Sequence, residues 1–393
     1  MRIALLTSSR FTIVDLGREL AALGHTVLVY SLVPPYLTRR FGLPAACNRW
    51  LGLQCAPFYA AARLTPSGEL QVAAERALQW SLDTAAARAL EPCDVLIAMS
   101  GMSLKVLEAA KEKYGALVFL ERGSRHALSQ REIMQDLARR RGDPVPRFDV
   151  DRELAGYDLA DVVSIPAQHV ADSFLERGFP AERLFVNPFG VSIDLFEPTL
   201  APDLTQPTIL MSGAWSLRKG CDVLVQAWRM MPGVRLLHVG PVTDVPLPDD
   251  PDFIHVDAVP QRELPRYYAQ ADVFALASRE EGLAVVQVQA LACGVPIVCT
   301  SHTGGGDLKR WAEPPESIRV VPPDDAVALH AALTDALEHR ASPGTRRDLL
   351  GPNRDQVSWL AYAKRYEKRL LEQLVFAAGH VSERAAQTPR SRG

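Results

Sequence analysis

Short apolar runs rich in Val, Ile and Leu alternate with stretches of helical periodicity from one end of this chain to the other. Arg2–Thr7 reads as a buried strand. Ile13–Leu23 reads as a helix, with Val14, Leu16, Leu20 and Leu23 near helical spacing, and Gly24 stops it before a strand at Thr26–Tyr30. The same rhythm continues through Val95–Ala98, Leu117–Leu120, Val162–Ile165 and Leu184–Val186. A second series follows at Thr208–Met211, Val234–His238, Phe253–Val256, Val273–Leu276, Ile297–Thr300 and Ile318–Val321. Strands this uniformly apolar and separated by helices must be covered on both faces, which predicts an α/β chain with parallel sheets. Cys93-Asp94-Val95, Ala160-Asp161-Val162 and Ala271-Asp272-Val273 each set an aspartate just before a strand, as short helix-to-strand turns favour.

Two strand series in 393 residues predict two doubly wound, Rossmann-like domains facing a cleft. The boundary falls at Phe196–Gln206, where Glu197-Pro198 and Ala201-Pro202 interrupt the pattern, giving domains over 1–196 and 207–356. A helix over 357–378, with Trp359, Tyr362, Tyr366, Leu370 and Leu374 on one face, is expected to return to the first domain, and 379–393 to form a polar tail. Lys plus Arg (43) nearly balance Asp plus Glu (46), so no polycationic field favours nucleic acid. Six cysteines in a chain this long form no disulfide framework, and Cys47 and Cys55 stand too far from other such groups for a zinc site. Reduced thiols in a cytoplasmic protein are expected. No run approaches the roughly 20 apolar residues that span a bilayer. Ala4-Leu5-Leu6, followed at once by Thr7-Ser8-Ser9-Arg10, is too short for a signal peptide.

One segment has the residue types of an anion-binding corner. Ser278-Arg279-Glu280-Glu281-Gly282-Leu283 follows the strand Val273–Leu276 and precedes a helix at Val285–Ala292. A strand, a glycine turn and a helix N-terminus aim free backbone N–H groups above the strand's carboxyl end. The alternative is a structural turn in which Glu281 complements the helix dipole. Arg218 and Lys219, before a helix starting near Cys221, oppose a dipole instead, which suits a charge that must be met in the cleft. Asp250-Pro251-Asp252 mimics a metal-binding aspartate pair but precedes a strand among prolines, so it reads as a turn. Gly304-Gly305-Gly306 is read as a flexible loop beside the cleft. No Gly-x-Gly-x-x-Gly follows the first strand to support a nicotinamide site.

The segment Glu281-Gly282-Leu283-Ala284-Val285-Val286-Gln287-Val288-Gln289-Ala290-Leu291-Ala292-Cys293-Gly294 resembles the motif of retaining glycosyltransferases of the GT-B fold, specifically glycosyltransferase family 4. Ser212-Gly213-Ala214-Trp215-Ser216-Leu217-Arg218-Lys219-Gly220 resembles that family's phosphate-contacting loop. Asn187-Pro188-Phe189-Gly190-Val191, with Asp194 and Phe196, resembles its pre-linker segment. Glu121-Arg122-Gly123-Ser124-Arg125-His126 resembles its first-domain cleft segment, and Trp359, Tyr362 and Tyr366 its closing helix.

The resemblance implies a catalytic set of Glu281, Lys219, Arg218 and His126. Arg218 and Lys219 would meet the charge growing on a departing diphosphate. Glu281 would contact the donor sugar, and His126 would donate a hydrogen bond to it. Gly213, Gly282, Leu283, Ala284, Gln289 and Ser9 would bind substrate. Gln289 stands where the family has a ribose-holding glutamate, and Ala214 where many members have arginine, a charge Arg218 would supply. The implied reaction takes a sugar from a nucleotide-sugar donor to a glycan or lipid-linked acceptor in surface polysaccharide assembly, without metal or other cofactor. The first domain would be the acceptor side. Tyr36, Trp50, Phe58 and Tyr59 beside Arg39, Arg40 and Arg49, with Arg139-Arg140-Arg141, suggest peripheral contact with an anionic inner membrane face. A non-catalytic nucleotide-sugar or glycan binder, an epimerase and a phosphorylase are the alternatives on the same fold.

Overall fold

The computed structural model describes residues 1–66, 68–142, 150–199, 206–340 and 345–387, with side chains as far as 376. Its strands form two sheets. The first holds β1 (Arg2–Thr7), β2 (Thr26–Ser31), β3 (Asn48–Trp50), β4 (Val95–Met99), β5 (Leu117–Glu121), β6 (Val162–Ile165) and β7 (Leu184–Val186) in the order β3-β2-β1-β4-β5-β6-β7. The second holds β8 (Thr208–Ser212), β9 (Arg235–Val239), β10 (Phe253–Val256), β11 (Val273–Leu276), β12 (Ile297–Thr300) and β13 (Ile318–Val321) in the order β10-β9-β8-β11-β12-β13. Every pairing is parallel. In each sheet the strand order reverses beside the first strand, at β1/β4 and at β8/β11. Open α/β sheets bind ligands outside the carboxyl ends of the strands at such a reversal.

The central strands are buried on both faces, with Leu5, Ile97, Phe119, Leu210 and Phe274 fully enclosed, as their continuous apolar composition requires. The three repeated aspartates share one task. Asp94 accepts the backbone N–H of Arg2, Asp161 that of Val118, and Asp272 that of Thr208. Each aspartate thus satisfies a donor at the start of a neighbouring strand, which a leading edge would otherwise leave open.

Several elements differ from the sequence reading. The excursion at 34–64 contains the edge strand β3 and a helix at Ala56–Leu64, too short or too exposed to show a period. A helix at Glu69–Ala89 follows it. Residues 200–205, most of the expected linker, lie outside the described residues. The closing helix runs Trp359–Gln387, so it continues through much of the expected polar tail, and 388–393 lie outside the described residues. Tyr362, Tyr366 and Leu370 on that helix are buried against the first half, and the helix packs on Phe11–Ala22. Tyr362 and Tyr366 donate hydrogen bonds to the two oxygens of Glu121, a fully buried carboxyl at the end of β5. All six cysteines are buried thiols.

Candidate active site

The two sheets present their carboxyl ends to a common cleft of about 540 Å3. From the second half it is lined by Ser212 and Gly213 after β8, Arg218 and Lys219 further along that loop, and Glu280–Val286 and Gln289 after β11. From the first half come Arg10, Phe11 and Asp15 after β1, Gly123 and Ser124 after β5, and Phe189–Ser192. Trp359 of the closing helix completes the wall.

The two cations converge on one carboxylate. Lys219 Nζ lies 2.5 and 2.9 Å from the two oxygens of Glu281, and Arg218 NH1 donates to Glu281 Oε1 at 3.0 Å and to the Glu280 carbonyl at 2.9 Å. Burial alone would raise the Glu281 carboxyl. Lys219 and Arg218 outweigh it and hold the group below its ordinary value, so it is a carboxylate at neutral pH. Two glycines permit this convergence. Gly220, at φ +67°, brings the Arg218–Lys219 turn so close to β11 that a Cβ there would stand 2.0 Å from the Ala277 carbonyl oxygen. A Cβ on Gly282 would stand 2.0 Å from the Gly123 carbonyl oxygen of the other half. The loops are stapled from behind by Arg279, a buried side chain of the same motif. Its guanidinium donates to both oxygens of Asp222 at 2.7 Å and to Asp324 at 2.5 Å.

The helix Val285–Ala292 begins at the cleft, with Leu283, Ala284, Val285 and Val286 on the wall. The Ala284 N–H is taken by the Thr303 carbonyl and the Gln287 N–H by the Ala284 carbonyl, which leaves the first-turn N–H groups of Val285 and Val286, both on the cleft wall, without a backbone partner among the described residues. Gln289 is buried at the cleft floor, and its Oε1 accepts from the Tyr268 hydroxyl at 3.0 Å. Gly213, at φ +132°, is held by His238, whose Nε2 lies 2.9 Å from the Gly213 carbonyl oxygen. A carbonyl only accepts, so that nitrogen carries the proton. Burial moves His238 down to about 4, and it is neutral at ordinary pH.

Eight of the ten expected site residues therefore meet in one cleft: Glu281, Lys219, Arg218, Gly213, Gly282, Leu283, Ala284 and Gln289. Two do not. His126 caps the helix Ala127–Arg141, accepting the Leu128 N–H at Nδ1, and its ring is boxed by Tyr157 at 5.2 Å and Phe174 at 4.9 Å. Burial and the Arg122 charge push it down to about 4, so it is a neutral, buried imidazole that is not among the residues lining the cleft. Ser9 is an exposed turn residue whose carbonyl accepts from Thr7 Oγ1. Arg10 and Phe11 occupy the wall in its place. Phe11 has φ +26° and lies edge-on to Phe189 at 5.9 Å. Gly304-Gly305-Gly306 is no flexible loop. Gly304 caps a short helix at Gly305–Leu308 and packs under Leu283. Asp250-Pro251-Asp252 is a turn closed by the Asp252 N–H on Asp250 Oδ1, as its prolines predict.

The halves touch across the cleft's edges. Ser124 donates to Glu280, and His169 Nε2 lies 2.9 Å from the Glu281 carbonyl oxygen. At the rim Arg140 pairs with Asp324 at 3.1 Å and Arg141 pairs with Asp244. These two arginines, expected as membrane-seeking charge, form a clasp between the halves.

Two parallel sheets facing one cleft define the class as the GT-B fold. Sucrose-phosphate synthase from Thermosynechococcus elongatus superposes with a TM-score of 0.68 at 20% identity, covering 96% of this chain and 100% of that one. HepE of Anabaena in complex with UDP-glucose gives 0.61 at 16% identity, over 95% and 99%. Within that class, residues 206–339 match the family model described as glycosyl transferases group 1, so the second half carries a domain of that group. A D-inositol 3-phosphate glycosyltransferase of Xylanimonas cellulosilytica is 32% identical over 155 residues, 32% of this chain and 37% of the relative. The amylovoran biosynthesis glycosyltransferase AmsK of Erwinia amylovora is 30% identical over 217 residues, 50% and 52%. The chain thus spans about half or less of the curated relatives it matches.

Proposed function

We propose that this protein is a glycosyltransferase that moves a sugar from a nucleoside-diphosphate donor to a hydroxyl of a glycan or lipid-linked glycan, in surface polysaccharide assembly. The observation that carries this reading is the convergence of Lys219, Arg218 and the helix start at Val285–Val286 on the wall of one cleft. Such a surface stabilises negative charge growing on a leaving diphosphate, the largest single contribution available to an enzyme whose leaving group is an anion. The names of AmsK and of the UDP-glucose complex support polysaccharide assembly and a nucleotide-sugar donor respectively.

We read the transfer as one with retention of anomeric configuration. The carboxylates on the cleft wall are all engaged: Asp15 by Arg10 and Arg18, Glu280 by Ser124 and Arg218, Glu281 by Lys219 and Arg218. With none poised as a nucleophile, the acceptor oxygen attacks on the face the diphosphate leaves. The anomeric C–O bond to phosphate breaks as the bond to the acceptor forms. The acceptor proton passes to the departing phosphate oxygen. Protein cations carry the charge in this scheme, so transfer is expected to persist in excess chelator.

Incubation with a panel of nucleotide sugars and a glycan extract, following nucleoside diphosphate release and the anomeric proton of the product by NMR, tests the reading. Lys219→Ala is expected to cut turnover about 100-fold, and because it also strips a partner from the buried Glu281 carboxylate, turnover is compared at a temperature where both proteins are folded. Turnover within threefold of wild type would remove Lys219 from the site, and an inverted product would refute retention. Peripheral membrane contact belongs to the same reading. Tyr36, Phe58, Tyr59, Leu64 and Trp80 are exposed on the first half. Equal flotation with anionic and zwitterionic vesicles, or none, would discard it.

A further inference from the structure

A second cavity, of about 350 Å3, adjoins the cleft on the first half. It lies at the carboxyl ends of β4 and β5, under Ser100, Gly101, Met102 and Arg122, beside the β1/β4 reversal of the sheet. Gln130 lines both spaces and stands at their common boundary. We propose that this chamber seats the sugar unit of the acceptor, and that the unit it takes is neutral and recognised through its hydroxyls. The proposal rests on the transferase reading above and adds the chemical class of the acceptor.

Position comes first. The topological reversal is where an open α/β sheet leaves a crevice, and each sheet here has one. The reversal of the second sheet opens on the cleft with the phosphate-type residues. In the first sheet the loop after β1 lines the cleft and the loops after β4 and β5 line the chamber, whose volume lies within the roughly 300–1,000 Å3 of small-ligand sites. A sugar held there meets a donor in the cleft across the Gln130 side chain.

Charge decides the class of ligand. Arg122 is a buried cation, and a buried arginine at a cavity ordinarily suggests a phosphate or carboxylate ligand. Here its guanidinium is already committed. Nε and NH2 both donate to the Arg125 carbonyl at 3.0 and 2.8 Å, NH2 also to Gln130 Oε1 at 2.6 Å, and NH1 to Glu153 Oε1 at 2.9 Å. Four of its five N–H groups are spent inside the protein, so it has no bidentate fork to offer an anion. Glu153 is in turn held by Ser100. The remaining charges on the lining, Glu75 and Arg76, are one of each sign. Among the described residues the lining is polar with its charges in balance, which suits hydroxyls and penalises an anion that would leave water for it.

Gln130 supplies the open hydrogen-bonding group. With its Oε1 fixed by Arg122, its amide NH2 has no hydrogen-bond partner among the described residues. That leaves two donors at the boundary between chamber and cleft, where an acceptor hydroxyl oxygen would lie. The floor is kept open by Gly101, at φ +80°, where a Cβ would meet Glu153 Oε1 at 2.7 Å.

The test uses the full chain saturated with nucleoside diphosphate. Probes are methyl α-glucoside, methyl α-galactoside and methyl α-mannoside as neutral sugars, and glucose 6-phosphate and glucuronate as anionic ones, followed by saturation-transfer NMR. At least one neutral glycoside is expected to bind, and the anionic probes to bind at least tenfold more weakly. Gln130→Leu, which keeps volume and removes the donors, and Gln79→Trp, which fills the chamber from its outer wall, should each weaken the neutral probe at least tenfold. Nucleoside diphosphate affinity of Gln79→Trp, by calorimetry, should stay within twofold of wild type. Preferred binding of an anionic probe, absence of binding by every neutral probe, or neutral binding indifferent to both variants would overturn the proposal while leaving the transferase reading intact. Failure of the wild-type chain to bind any nucleoside diphosphate would bring down both.

Discussion

Replacing Glu121 by glutamine should flatten the pH dependence of this protein's stability. Burial outweighs the hydrogen bonds that Glu121 receives and pushes its carboxyl up to about 7, against 4.5 for an unperturbed group. Between those values the folded chain binds a proton that the unfolded chain has released. Stability from this group is therefore fully present below pH 4.5 and is lost as pH rises through 7. Working the two titrations between pH 5 and pH 7 gives a loss of roughly 2 kcal/mol from Glu121 alone. Glu121→Gln keeps an amide between Tyr362 and Tyr366 and removes the titration. Urea unfolding of both proteins at pH 5, 6 and 7 isolates the term, since all other groups cancel in the difference. The gap between wild type and variant should change by about 2 kcal/mol over that range, with wild type losing the more. Parallel curves, within about 0.5 kcal/mol, well below that expectation, would mean that the carboxyl is already ionised at pH 5 and that the closing helix is anchored on a charge.

Three further outcomes test the cleft. Gly282→Ala sets a Cβ 2.0 Å from the Gly123 carbonyl oxygen, so the halves must part by about an ångström and turnover should fall about 100-fold. Small-angle scattering should show the expansion, and an unchanged profile with unchanged turnover would refute the close approach. Gln289→Glu keeps the bond from Tyr268 and adds a second acceptor oxygen, so nucleoside diphosphate should bind about fivefold more tightly. If calorimetry gives equal affinities with ribose and deoxyribose nucleotides, residue 289 does not touch the ribose. His238→Ala should weaken nucleotide binding roughly tenfold by releasing the Gly213 loop, and His238→Gln, which can still donate to that carbonyl, should recover most of it. Wild-type affinity in the alanine variant would show that the loop holds itself.

The strands were legible because burial on both faces leaves only one composition available to them, and the second-half motif was legible because its chemistry is local. Glu281, Gly282 and the helix start lie within a few residues of one another, so their juxtaposition follows from the chain itself. Arg218 and Lys219 joined them because the loop after β8 is adjacent to that after β11 whenever those strands pair. The failures are of orientation. His126 occupies a turn in the expected place, yet nothing in Gly-Ser-Arg-His says that Tyr157 and Phe174, 31 and 48 residues on, will enclose its ring. Ser9 gave way to Arg10 and Phe11 because the backbone turns at Phe11, in a conformation that the sequence gives no reason to expect of a phenylalanine. The pairing of Arg140 and Arg141 with acids more than a hundred positions away could not be read from a run of like charge. The edge strand β3 has three residues, fewer than any periodicity can mark.

The rim clasp and the seat of the closing helix differ in how they meet water. Arg140 and Asp324 are 44% and 39% exposed, whereas Tyr362 and Tyr366 are sealed. Dissolved ions reach the first and not the second. At 0.1 M salt charges are felt over about 10 Å, and at 1 M over about 3 Å. Ionic strength should thus act on this molecule as a selective solvent, loosening the rim contact between the halves while the contacts of the closing helix stay as they are.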